Sequence, residues 1–202
     1  MSLIAAGLLA LAAAAEGPPL FYWGARPAVI TAPAGDRAST VASVLEVHAA
    51  QDAKGLILRL TFDRPVKDVL FLPDGTPVSG RLRAVLYCDS DGERATGWNA
   101  GESDLRRGAE WRLEVGTLAM GADPEEHAVA QALVTVTLVA LTTDGRQRSL
   151  WSADHQAAPR EVSFRGEWLE LRLPRAHWQP ATRGRLILAA GDTFLDGRIP
   201  AP

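Results

Sequence analysis

The stretch that decides the fold runs from Leu82 to Val115. It opens as Leu82-Arg83-Ala84-Val85-Leu86-Tyr87-Cys88. It continues as Asp89-Ser90-Asp91-Gly92-Glu93-Arg94-Ala95-Thr96-Gly97-Trp98. After a polar loop it resumes as Ala109-Glu110-Trp111-Arg112-Leu113-Glu114-Val115. An apolar β-strand runs into an acidic, glycine-punctuated loop, and a second strand follows. Asp89 and Asp91 place two carboxylates one residue apart at a strand end, where oxygen ligands can converge on a hard cation.

Outward from that stretch the texture stays β. Leu56, Leu58, Leu60 and Phe62 alternate along one face of a strand, and Val41–Ala49 precedes them across the turn at Gln51–Gly55, which predicts a hairpin. Val66–Leu72 is expected as an edge strand, stopped by Pro73-Asp74-Gly75. Asp123-Pro124-Glu125 is a helix-start pattern and predicts one or two turns near 123–131. Ala132–Leu141 and Arg146–Trp151 flank the turn dipeptide Asp144-Gly145, a second hairpin. Glu161–Phe164 and Glu167–Leu173 flank Arg165-Gly166, a third, and Arg185–Ala190 is the last clear strand. About nine short strands with at most one short helix predict an all-β, antiparallel sandwich of jelly-roll-like form. An α/β fold is excluded because no long segment of helical period separates the strands.

The chain has 202 residues and a formal net charge of −3, with 47% hydrophobic and 22% charged residues. A body of about 165 residues buries roughly 70% of its unfolded surface, enough for a core without staples. Arg dominates the cations, Lys54 and Lys67 being the only lysines, and no basic stripe appears. Nucleic acid is therefore not an expected partner. Cys88 is the only cysteine, so an intrachain disulfide or a thiolate metal cluster is excluded. At the end of an apolar strand it reads as a small buried hydrophobe.

Leu3 to Ala15 carries no charge, and Ala13-x-Ala15 precedes Glu16. This matches a signal-peptide core and cleavage site and is too short for a comfortable membrane span. The expected Lys or Arg before the apolar run is missing. The division expected is a signal peptide at 1–15, a Pro/Ala-rich N-terminal segment at 16–40 and a β-sandwich domain at 41–202. The mature chain is then periplasmic or secreted, with no transmembrane span. Within 16–40, Phe21-Tyr22-Trp23 is unusual for a free linker, so part of the segment is expected to pack against the domain.

Tyr87 to Trp98, followed by Gly108-Ala109-Glu110-Trp111-Arg112-Leu113-Glu114, resembles a theme of secreted bacterial β-sandwich domains related to the DOMON-like and family-nine carbohydrate-binding-module folds. The theme is a strand, an Asp-x-Asp loop with Ala-Thr-Gly, then a Gly-Ala-Asp/Glu-Tyr/Trp strand. Val162 to Gly166 and Leu169 to Ala176 resemble the strand closed by Pro-Arg-Ala in such domains. The resemblance covers roughly half of the domain and implies a jelly-roll-like sandwich, a location outside the cytoplasm and a binding role. Glu110 stands where the theme commonly has Asp. DOMON-like domains include haem binders, but nothing around Met120 or the histidines supports ligation, and haem is not expected.

Asp89, Asp91, Glu93 and Asp104 are the candidate metal ligands, with Ca²⁺ as the ion, because Ca²⁺ takes six to eight oxygens. An EF-hand does not fit, since Arg94 and Ala100 occupy its glycine and bidentate-Glu slots. The plainer reading is a solvated turn whose Asp side chains cap loop amides. Trp98 and Trp151 are the candidate ligand-binding rings, Trp98 because it lies in a loop beside Gly97 and indoles stack on sugar faces. Trp111 and Trp168 read better as core filling. His48, His127, His155 and His177 show no metal-binding spacing, and no Gly-x-Ser-x-Gly element is present, so no catalytic residue is assigned. The chain is expected to be an exported, non-catalytic ligand-binding module for carbohydrate, with a structural Ca²⁺. The alternative is an envelope domain that is structural or binds another envelope protein, and an enzyme is the reading the residues support least.

Overall fold

A computed structural model describes residues 15–35, 39–101, 103–121, 130–178 and 183–201. Among these residues eleven strands form two antiparallel sheets: β1 Ile30–Thr31, β2 Val44–Asp52, β3 Gly55–Phe62, β4 Ala84–Asp89, β5 Trp111–Met120, β6 Gln131–Leu141, β7 Gln147–Asp154, β8 Val162–Arg165, β9 Trp168–Pro174, β10 Arg185–Ala190 and β11 Thr193–Arg198. The five-stranded sheet has the order β1-β2-β3-β9-β8, and the six-stranded sheet β11-β10-β4-β5-β6-β7. The fold is the all-β sandwich that the alternating pattern predicts. The two extra strands lie at sheet edges: β1 is two residues long, and β11 carries no fully buried side chain.

One core lies between the sheets. Leu56, Leu58, Leu60 and Phe62 of β3 meet Leu86, Leu113, Val134, Val136 and Leu188 of the other sheet, all essentially buried. This apolar area removed from water is the main driving term of the fold. The three predicted hairpins are present. In the first, Asp52 pairs with Gly55, and the Asp52 carboxylate accepts the N–H of Lys54 and of Gly55. A Cβ at Gly55, whose φ is +149°, would overlap the Leu173 carbonyl, so only glycine closes that turn.

Val66–Leu70 is not the expected edge strand but the helix α1. Its buried side chains are Val66, Val69 and Leu70, an i, i+3, i+4 set that lines one helical face rather than one strand face. Among the described residues no helix is long and apolar enough to cross a membrane. The short helix expected near 123–131 lies mostly outside the described residues, as does the expected leader up to residue 14.

The N-terminal segment is built into the sandwich. Glu16 and Gly17 bond the edge of β8, through Gly166 N–H to Glu16 Oε1 and Gly17 N–H to the Phe164 carbonyl. The chain then crosses the outer face of the five-stranded sheet and joins β2 through β1. Trp23 is 5% exposed against Ala50 and Ile57, while Tyr22 is 89% exposed.

Candidate functional site

β4 and β5 are neighbours, and the described residues of the loop between them, 90–101 and 103–110, fold over the outer face of the six-stranded sheet. Side chains alternate across a strand, so Tyr87 and Ile187 point away from the core and pack with Val139, Ala109, Trp98 and Phe194 in a second apolar cluster. Trp98 stacks on Tyr87 with ring centroids 5.7 Å apart. The Arg106 guanidinium lies 4.7 Å from the Trp98 centroid and 4.3 Å from that of Phe194. The Trp98 ring is thus engaged in holding the loop on the sheet. Trp151 pairs with Leu138 on β6 and packs half-buried against the main core. Neither ring stands free as a stacking platform. Trp111 and Trp178 meet in the core at 5.1 Å.

At the base of the loop, Asp89, Asp91 and Glu110 bring carboxylate oxygens within 4.8 Å of one another. The expected set therefore changes. Asp89 and Asp91 stay. Glu93 is exposed, and Asp104 pairs with Arg106 at 2.5 Å; neither joins the group. Glu110, at the start of the returning strand, takes the third place. The sequence signal for Glu110 is its position in the Gly-Ala-Glu-Trp element, which brings β5 back beside the end of β4 through the Glu110 N–H bond to the Cys88 carbonyl.

Each carboxylate already has partners. Asp89 is fully buried, accepts the Gly92 N–H at 2.6 Å, and pairs with Arg185 at 2.6 Å. Asp91 accepts the Glu93 N–H and the Thr96 hydroxyl. Glu110 accepts the Ser90 N–H at 2.7 Å and, 3.0 Å from the Thr96 hydroxyl, shares its single hydrogen with Asp91. Burial pushes the Glu110 carboxyl above its ordinary 4.5, and Asp91 and Asp89 add to the rise by repulsion. Burial, with Glu110 and Asp89 beside it, likewise pushes the Cys88 thiol well above its usual value, which leaves it un-ionised and unreactive. The donor chemistry suits a hard cation, since all three groups offer oxygen. Arg185 already offsets one of the three charges, so an ion would answer mainly to Asp91 and Glu110.

A second feature was not visible in the sequence. The loop covers only part of the outer face, and among the described residues nothing covers the sheet beyond it. A groove of about 270 Å³ runs over Val85, Glu114, Gly116, Thr135 and Thr137, with Arg83 at its side. It shares Arg83 and Val85 with a larger cleft of about 610 Å³ between β4, β10 and the segment around Ser39 to Val44. The strand register sets the floor in rows: Val85 opposite Glu114 opposite Thr137, and Gly116 opposite Thr135. No family model, curated protein or solved structure matches the chain.

Proposed function

We propose that this chain is an exported, non-catalytic β-sandwich module that binds carbohydrate on the open half of its six-stranded sheet, with Ca²⁺ held by Asp89, Asp91 and Glu110 as a structural ion. The observation that carries the reading is the hydroxyl-bearing groove of Val85, Glu114, Gly116, Thr135 and Thr137, since an open sheet face with hydrogen-bonding groups suits an extended, polyhydroxylated chain. Support for a non-catalytic role comes from the reactive groups themselves. Cys88 is buried and protonated. His155 is buried, its charged form disfavoured by burial, and its Nδ1 accepts the Val134 N–H. Export is supported by the uncharged Leu3–Ala15 run; cleavage before Glu16 would leave intact the contacts of Glu16 and Gly17 with β8.

The test is a panel of neutral and acidic oligosaccharides against residues 16–202 and its Gly116→Tyr variant. A tyrosine side chain would rise from the groove floor, where a Cβ meets only Thr135 at 3.7 Å, and β propensity favours it. Binding that is lost in Gly116→Tyr at an unchanged melting temperature supports the reading. A silent panel, or binding unaffected by the tyrosine, overturns it. N-terminal sequencing from the native host tests export, with Glu16 the expected first residue.

Leu118 and Met120 stand out of β5 at 48% and 49% exposure, which favours a second reading as an envelope domain that binds a protein partner. Replacing both by Glu would then release the protein from the envelope fraction.

A further inference from the structure

Two details of the groove narrow its ligand beyond carbohydrate in general. The first is Gly116. Glycine in a strand interior costs stability and is usually explained by a backbone that needs a positive φ or by a neighbour that leaves no room for a Cβ. Neither applies. Gly116 is not among the glycines of positive φ, and an added Cβ would meet only the Thr135 hydroxyl at ordinary contact distance. What the glycine does is leave the floor flat between Glu114 and Leu118 on the outer face of β5, where something else can approach the sheet closely.

The second detail is the charge beside that floor. Arg83 precedes β4 by one residue and stands in line with Gly116 and Thr135, since Ala84 pairs with Val115 and Gly116 with Thr135. It is exposed, and it borders both the groove and the larger cleft. Among the described residues no carboxylate pairs with it. Glu114 is the other charged residue of the lining, and Arg112 offsets it, with Nε 2.8 Å from Glu114 Oε1. Asp154 lies at the far end of the Gly116–Thr135 row and is engaged in capping the turn amides of Gln156 and Ala157. Among the described residues the lining is thus left with one uncompensated cation, next to two threonine hydroxyls and a flat floor. A guanidinium binds a carboxylate through paired N–H donors, and the hydroxyls donate to and accept from sugar hydroxyls.

We infer that the ligand of this groove is an acidic oligosaccharide of the uronic-acid class, with a carboxylate held by Arg83, sugar hydroxyls held by Thr135 and Thr137, and a ring seated over Gly116. The inference rests on the carbohydrate-binding reading above and is separable from it by experiment. Residues 16–202 are titrated calorimetrically with oligomers of galacturonate, mannuronate and glucuronate, and with neutral cello-, manno- and malto-oligomers of equal length. At least one uronate oligomer should bind more tightly than every neutral one. Arg83→Gln should weaken it about tenfold, the loss of one charge-assisted contact, and Arg83→Lys should recover part of that loss. Arg83 is exposed and has no carboxylate partner among the described residues, so neither substitution should move the melting temperature.

If neutral oligomers bind as well as the uronates, or if Arg83→Gln leaves uronate affinity unchanged, the acidic assignment falls while the carbohydrate reading stands. If no oligomer of either kind binds, both fall together.

Discussion

Arg185 and Asp89 face each other across β10 and β4, with the guanidinium Nη2 2.6 Å from an Asp89 oxygen that no solvent reaches. The same guanidinium donates to the Arg107 carbonyl, so the pair ties the acidic loop to the sheet. Removing one member of a buried pair strands the other charge and costs roughly 3–5 kcal/mol, whereas removing both together costs far less. Arg185→Leu should therefore lose about that much stability in urea unfolding, and the double variant Asp89→Asn, Arg185→Leu should recover most of it. A loss under about 1 kcal/mol in the single variant would mean that the pair behaves as a solvated surface pair.

The N-terminal strap hangs on a second buried carboxylate. Glu170, fully buried on β9, accepts the Leu20 N–H, the Trp23 indole N–H at 2.6 Å and the Arg59 guanidinium at 2.5 Å. Arg59 in turn lies over the rings of Trp23 and Trp168. Trp23→Ala leaves a cavity and an unmet acceptor, and a loss of roughly 3–5 kcal/mol is expected. Protease sensitivity near Gly24 should rise in parallel. An unchanged denaturation midpoint would show the strap to be energetically idle.

Calcium provides a third measurement. A cation that binds only the folded chain stabilises it by mass action, about 2.7 kcal/mol at a hundred times its dissociation constant. Excess Ca²⁺ should raise the melting temperature, Asp91→Ala should remove most of the rise, and Mg²⁺ should do less because its shell is smaller and stricter. Identical melting curves in Ca²⁺ and in chelator would leave Asp89 and Asp91 as turn-capping groups alone.

The raised Glu110 carboxyl fixes a sign in the pH dependence. Its folded-state proton is held more tightly than in the unfolded chain, where the ordinary value of 4.5 applies. The folded state therefore loses stability relative to the unfolded as pH rises through 4.5 and then through the raised value. Glu110→Gln keeps an acceptor for the Ser90 N–H and removes the charge. In chelator, it should melt a few degrees above the wild type at about pH 7, with the gain vanishing below about pH 4. A variant that melts lower at every pH would mean that the hydrogen bonds to the carboxylate outweigh the repulsion.

Much of the sandwich was legible in the chain because its signals are local. The alternation of Leu56, Leu58, Leu60 and Phe62 and the turn at Asp144-Gly145 depend only on the two-residue period of a strand and on backbone preference. Val66, Val69 and Leu70 carried a helical spacing as well, but over five residues a short apolar run does not separate helix from strand. Asp89 and Asp91 were legible as a pair for the same local reason.

What tertiary structure decided is everything set by pairing between distant segments. β10 lies beside β4 and so delivers Arg185 to Asp89, ninety-six residues away in the chain. The return of β5 brings Glu110 into the place expected for Glu93 or Asp104. Trp98 could be read as loop, but only the fold of that loop over Tyr87 shows its ring to be occupied. The groove depends on how far the loop reaches across the sheet and on which strands lie in register beneath it. The sequence by itself determined the period of each strand and the residues at each turn, because those follow from backbone geometry one residue at a time. The order of strands in the sheets and the partners of each buried charge were decided by burial of the shared core, a property of the whole chain that no local window contains.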